Sequence, residues 1–97
     1  MGAFMIIQAD ITDPQRFMEY GKHAAALVAK CGGRYRVMRA ACEQLEGEQD
    51  ARKIVVSEWP SMEAAKAFWN SPEYAELKKL REGAGDCHVY LTEITGD

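Results

Sequence analysis

Apolar positions along the chain switch between a two-residue and a helical period, in the order strand, helix, strand, strand, helix, strand. Residues Ala3 to Ile11 (AFMIIQADI) read as the first strand, with Phe4, Ile6 and Gln8 on one face and Met5, Ile7, Ala9 and Ile11 on the other. Thr12-Asp13-Pro14 predicts a helix start. Asp13 is a capping residue, and Pro14 suits the first helical position because its missing N–H would find no partner there. Phe17, Tyr20, Ala24, Leu27, Val28 and Cys31 then make one apolar stripe, with Arg16, Glu19, Lys22 and Lys30 off it. Lys30 followed by Gly32-Gly33 predicts the end of the helix.

The second strand begins at Arg34 (RYRVMRAA). Alternation places Tyr35 and Val37 on one face and Arg34, Arg36 and Met38 on the other. Glu43 to Asp50 is polar around Gly47 and reads as a hairpin connection. Lys53 to Trp59 (KIVVSEW) is the third strand, ended by Pro60, which cannot donate to a ladder. Ser61 caps a second helix with the stripe Met62, Ala65, Phe68 and Trp69. A second cap at Asn70-Ser71-Pro72-Glu73 predicts a further helical stretch to about Glu82, carrying Tyr74, Leu77 and Leu80 and stopped by Gly83 and Gly85. Cys87 to Ile94 (CHVYLTEI) is the last strand. This order predicts an α+β, ferredoxin-like βαββαβ fold: a four-stranded antiparallel sheet with both helices on one face. At 97 residues one domain spanning 1–97 is expected.

The strands are apolar on both faces, which has a consequence for assembly. If Val55 and Trp59 meet the helices, Phe4, Ile6, Ile54 and Val56 face away from them. Burying each such side chain is worth ~1.5–3 kcal/mol. Leaving four exposed would forgo roughly 6–12 kcal/mol, comparable to the ~5–15 kcal/mol stability of a whole domain. Apolar patches of that size mark interfaces, so a homodimer is expected.

Composition narrows the rest. A net charge of −3 with both signs mixed gives no electrostatic footprint for nucleic acid. Base stacking in the ferredoxin-like manner needs aromatic rings on the central strands, where Ile54, Val55 and Val56 stand instead. No apolar run reaches the ~20 residues of a membrane span. The start, Met1-Gly2-Ala3-Phe4, has no basic leader, and Ile6 breaks the myristoylation pattern. Cys31, Cys42 and Cys87 are odd in number and widely spaced, so reduced thiols in or near the core are expected, in a cytoplasmic protein. No Cys or His pair has zinc spacing, and there is no phosphate loop or G-x-S-x-G elbow; neither a metal nor a cofactor is expected.

Taken in order, Ile11-Thr12-Asp13-Pro14, Glu19-Tyr20, Gly32-Gly33-Arg34-Tyr35, Leu45-Glu46-Gly47, Glu58-Trp59-Pro60-Ser61, Ala64-Ala65, Ser71-Pro72-Glu73-Tyr74 and Arg81 resemble the family numbered 1330 among the domains of unknown function (DUF1330). The resemblance covers nearly the whole chain. It implies a dimeric α+β barrel, two sheets packed across a dimer axis, with pockets between sheet and helices. Similar proteins tend to carry an Arg followed by two glycines at the end of the second strand. Here the segment reads Arg36-Val37-Met38-Arg39-Ala40-Ala41, with Met38 in the Arg position and Arg39 next to it. The wider superfamily includes cofactor-free monooxygenases, isomerases and haem-handling enzymes, an analogy of fold.

Several polar residues stand out as ligand-binding candidates. Gln8, Arg36 and Glu58 share the face turned from the helices, and Arg36 and Glu58 are symmetric about Gly47, so a simple hairpin sets them nearly opposite. They form either a charged spot in a pocket or a cross-strand ion pair at an interface. Arg39, at a strand end, and Arg81, at a helix end, can each grip an anion or simply be solvated. Tyr20 and Tyr74 lie on helical stripes with hydroxyls available at a polar edge. His23 and His88 carry imidazoles, the side chain most often used for acid–base work. The expectation is a small cytoplasmic dimer that binds a small, partly apolar metabolite between sheet and helices, with cofactor-free chemistry of the monooxygenase or isomerase type if it is catalytic. The alternative is a non-catalytic dimeric binding, regulatory or protein-interaction module.

Overall fold

A computed structural model of the protein describes residues 2–96; Met1, which opens the Met-Gly pair weighed above, and Asp97 lie outside the described residues. The elements run β1 (Ala3–Ile11), α1 (Pro14–Lys30), β2 (Arg34–Ala40), β3 (Lys53–Trp59), α2 (Met62–Trp69), α3 (Pro72–Lys78), a 3₁₀ turn (Lys79–Arg81) and β4 (Gly85–Glu93). The strands form one antiparallel sheet in the order β2-β3-β1-β4. This is the α+β, ferredoxin-like architecture. Among the described residues no helix is long and apolar enough to cross a membrane.

Local chemistry explains the helix ends. The Asp13 carboxylate accepts from the Arg16 N–H at 3.2 Å, the Ser61 hydroxyl from Ala64 N–H at 3.1 Å and the Ser71 hydroxyl from Tyr74 N–H at 3.1 Å. Each satisfies an orphan donor of a first turn. Gly32 leaves α1 at φ +92°. Gly33 is then pressed against the Trp59 indole: a Cβ there would lie 2.8 Å from the ring.

Three boundaries depart from the sequence expectation. The helical stretch after Pro72 tightens to a 3₁₀ turn at Lys79–Arg81, and Leu80, expected on the buried stripe, is exposed. β4 starts at Gly85 because β1 runs on to Ile11 and needs a partner; the N–H groups of Thr12 and Asp13 then both donate to the Ala84 carbonyl, at 2.8 and 3.0 Å. The connection between β2 and β3 is a long loop, 41–52, folded around the Gln44 amide, which donates to the Glu46 carbonyl at 3.1 Å and accepts from the Asp50 N–H at 2.9 Å. Cys42 is exposed on this loop, whereas Cys31 and Cys87 are half-buried.

The largest departure is in β2, whose pairing with β3 shifts register twice, between Tyr35 and Val37 and between Val37 and Ala40. Val37 consequently pairs with Val56, on the face away from the helices, and does not share a face with Tyr35. An extra residue in one strand of a pair has this effect.

The core lies between sheet and helices, with Trp59 1% and Tyr74 2% exposed. Small residues, Ala3 and Ala9 on β1 and Ala65 on α2, are all buried and allow close approach. An aromatic series runs through it: Trp59 to Phe68 at 4.9 Å, Phe68 to Tyr74 at 4.7 Å and Trp69 to Tyr74 at 5.0 Å between ring centroids. The Trp59 N–H donates to the buried Ser57 hydroxyl at 2.9 Å.

Candidate functional site

The six candidate residues separate onto opposite sides of the sheet. Arg36, Glu58 and His88 stand on the outer face; Tyr20, Arg39 and Arg81 line a cleft on the helix side.

On the outer face the register builds three cross-sheet rows. The central row is apolar from edge to edge: Val37, Val56, Ile6 and Tyr90. One flanking row reads Arg34, Glu58, Phe4 and Thr92, the other Ala40, Ile54, Gln8 and His88. Tyr90 is 54% exposed. Arg34, not Arg36, is the register partner of Glu58 because the two shifts in β2 together displace the pairing by two residues. Arg36 still donates to Glu58 Oε1 at 3.1 Å, and Arg34 Nη2 lies 3.5 Å from the same oxygen. This is the cross-strand ion pair, away from the cleft. At the opposite corner Arg52 donates to His88 Nδ1 at 2.9 Å. Arginine has no acceptor, so Nδ1 carries the lone pair and Nε2 the hydrogen in this arrangement. Arg52 also donates to Asp50 at 3.1 Å through Nε; its backbone N–H and its guanidinium hold the Asp50 carboxyl below the usual range. His23, on the exposed side of α1, lies 3.3 Å from Glu19.

The cleft opens between α1 and the sheet. It measures about 470 Å³ out to its open mouth, of which about 40 Å³ takes the centre of a water molecule. Ile7, Phe17, Ala24, Val55 and Val89 supply apolar walls; Tyr20, Tyr35, Arg39, Arg81 and Cys87 supply the polar atoms. Two features missed by sequence reasoning are Tyr35 and Cys87, which alternation alone could have put on this side. Tyr20 and Tyr74 share a buried hydrogen bond at 2.9 Å between their hydroxyls. The Arg81 guanidinium lies 5.5 Å from the Tyr20 ring centroid, in cation–π range.

The electrostatics of this cleft are one-sided. Burial pushes the Tyr20 hydroxyl far up, and its neighbour Tyr74 adds to the effect. Burial likewise raises Tyr35 and the Cys87 thiol. Burial alone would lower Arg81, but the Tyr74 and Tyr20 oxygens and the Cys87 sulfur beside it raise it instead. At neutral pH the Tyr20 and Tyr35 phenols and the Cys87 thiol therefore keep their protons and Arg81 its charge. Among the described residues the lining contains no carboxylate and no imidazole. It can donate hydrogen bonds and stabilise negative charge, and it has no ready general base.

Over residues 2–95 the chain matches the family described as Domain of unknown function (DUF1330). It belongs to that family. Among solved structures it is similar to the RPA0582 protein of unknown function from Rhodopseudomonas palustris, at 16% identity and a TM-score of 0.80 over 99% of this chain and 84% of that one. It is similar to SnoaB, a cofactor-independent oxygenase from Streptomyces nogalater, at 13% identity and a TM-score of 0.72 over 99% of this chain and 95% of that one. It is also similar to a dimeric ferredoxin-like protein of unknown function from Jannaschia sp. CCS1, at 10% identity and a TM-score of 0.71 over 97% of this chain and 100% of that one. No curated protein matches the chain. At these identities the structural likeness speaks to the fold.

Proposed function

We propose that this DUF1330 protein is a cytoplasmic homodimer that binds a small, partly apolar metabolite in the cleft between α1 and the sheet. The carrying observation is the cleft itself: apolar walls and a few convergent polar groups, the usual make-up of a small-molecule site. Its narrow interior favours a body the size of one ring or a short chain. Met38, half-exposed at the rim and unbranched, is the side chain best able to yield to a guest. Dimerisation rests on the unbroken apolar row across the outer face, with the Arg34–Arg36–Glu58 and Asp50–Arg52–His88 groups at its corners. The fold shared with SnoaB and the protonated state of the cleft's phenols favour a second reading, cofactor-free oxygen chemistry on a substrate that arrives already rich in electrons.

The test screens a metabolite panel by ligand-observed NMR, alongside sedimentation. Ala24→Phe, which fills the cleft from α1, abolishes the binding of any hit while the protein stays folded. Ile6→Glu, at the centre of the outer row, yields monomers. Hits that bind Ala24→Phe unchanged would place the site elsewhere, and a wild-type monomer at micromolar concentration would remove the dimer.

A further inference from the structure

The outer face and the cleft differ in how their arginines are neutralised. Arg34, Arg36 and Arg52 each lie within ion-pair distance of a carboxylate. Among the described residues Arg39 and Arg81 pair with none, although both line a cleft whose walls are mostly apolar. Each is a positive charge on a mostly apolar wall with no carboxylate beside it, and each gains from an anion brought into the cleft.

The placement of Arg39 is costly in its own right. It is the one non-glycine residue with positive φ among the described residues, at +51°. L side chains rarely adopt that conformation, and where they do the surroundings impose it. Its effect on direction is plain. Val37 points to the outer face, so simple alternation would send Met38 inward, Arg39 outward and Ala40 inward. The second register shift instead keeps Ala40 opposite Ile54 on the outer face, and both Met38 and Arg39 line the cleft. Across from them α1 carries a glycine: a Cβ on Gly21 would come within 3.6 Å of Arg39 Nη1, and any longer side chain would compete with the guanidinium for its place. A strained backbone on one side and a missing side chain on the other serve one placement.

We propose that the cleft takes a small carboxylate, its apolar body against Ile7, Phe17 and Val55 and its head between Arg39 and Arg81. Guanidinium groups match the planar carboxylate with paired hydrogen bonds, which a neutral hydroxyl cannot reproduce. This rests on the cleft being the binding site, and the experiment separates the two ideas. Benzoate and hexanoate are titrated calorimetrically into the full chain, beside benzyl alcohol, hexanol and inorganic phosphate. The acids bind at least about tenfold more tightly than their alcohols and than phosphate. Arg81→Gln weakens acid binding about tenfold or more. Arg39→Gly does the same and raises Tm, because glycine adopts the left-handed backbone without strain. Alcohols binding as well as acids would keep the cleft as a site and overturn the carboxylate. Phosphate binding as tightly as benzoate would overturn the planar, apolar acid class. Failure of every probe would remove site and proposal together. Unchanged acid binding by Arg39→Gly would remove Arg39 from it.

Discussion

Beneath α2 and α3 the sheet meets Trp59, Phe68 and Tyr74 at 4.7–4.9 Å between rings, and the polar atoms there are matched, indole N–H to Ser57 and phenol to phenol. Beneath the first half of α1, on the same sheet face, Ile7, Val55 and Val89 meet a gap with two guanidiniums at its edge. The first region is sealed by large rings set against small partners such as Gly33 and Ala65; the second stays open because Gly21 and Ala24 occupy the facing helix. Small residues thus do opposite things. Against a bulky ring they permit contact, and against β-branched strand residues they leave room. The Tyr20–Tyr74 hydroxyl pair is the joint between the regions, one phenol in each.

Breaking the sealed region should have the largest effect. Trp59→Ala removes a 1%-exposed ring on which Gly33 and Phe68 both rest, and is expected to cost about 3–5 kcal/mol, read from urea unfolding. The joint comes next. Tyr20→Phe leaves the Tyr74 hydroxyl without its buried partner and should cost about 0.5–1.5 kcal/mol at pH 7. It also changes the alkaline limb. Burial raises the Tyr20 pKa above that of the unfolded chain, so the neutral form's advantage is complete below pH ~10 and fades as pH rises beyond it. Wild-type stability should therefore fall more steeply above pH ~10 than that of Tyr20→Phe; parallel curves would contradict the burial of this phenol. The smallest effect belongs to the outer face. Arg36→Ala opens a 3.1 Å pair whose arginine is half-exposed, and should shift stability by less than about 1 kcal/mol while leaving cleft binding unchanged. A loss of binding in that variant would mean that the two sides of the sheet communicate.

The elements, their caps and the burial of Trp59 follow from periodicity and from Asp13, Ser61 and Ser71. These are local signals, and the structure uses each as expected. The site was only half legible. Tyr20 comes to the cleft because helical spacing puts it on an inward-facing turn; Arg81 reaches it from the 3₁₀ turn, which the helical pattern does not predict. Arg36 and Glu58 do pair, although the register sets Arg34 opposite Glu58, and they do so on the far side of the sheet from the opening. Arg39 shows where reading by alternation fails. A register shift is decided by what the neighbouring strand and helix can accommodate, and nothing in RYRVMRA announces two of them. Tyr35 and Cys87 were passed over because an isolated phenol or thiol on a strand carries no signal until α1 is laid across it.

The irregularity of β2 also bears on what can grow from this sheet. A free strand edge is a template for another chain only while its donors and acceptors keep an even rhythm. β2 breaks that rhythm twice in seven residues, so one border of the sheet is poorly suited to recruit a stranger's backbone. The opposite border, β4, pairs with β1 without interruption from Gly85 to Glu93 and offers nine regular residues on its free side. Any extension of the sheet, by a peptide or by another subunit, would add there.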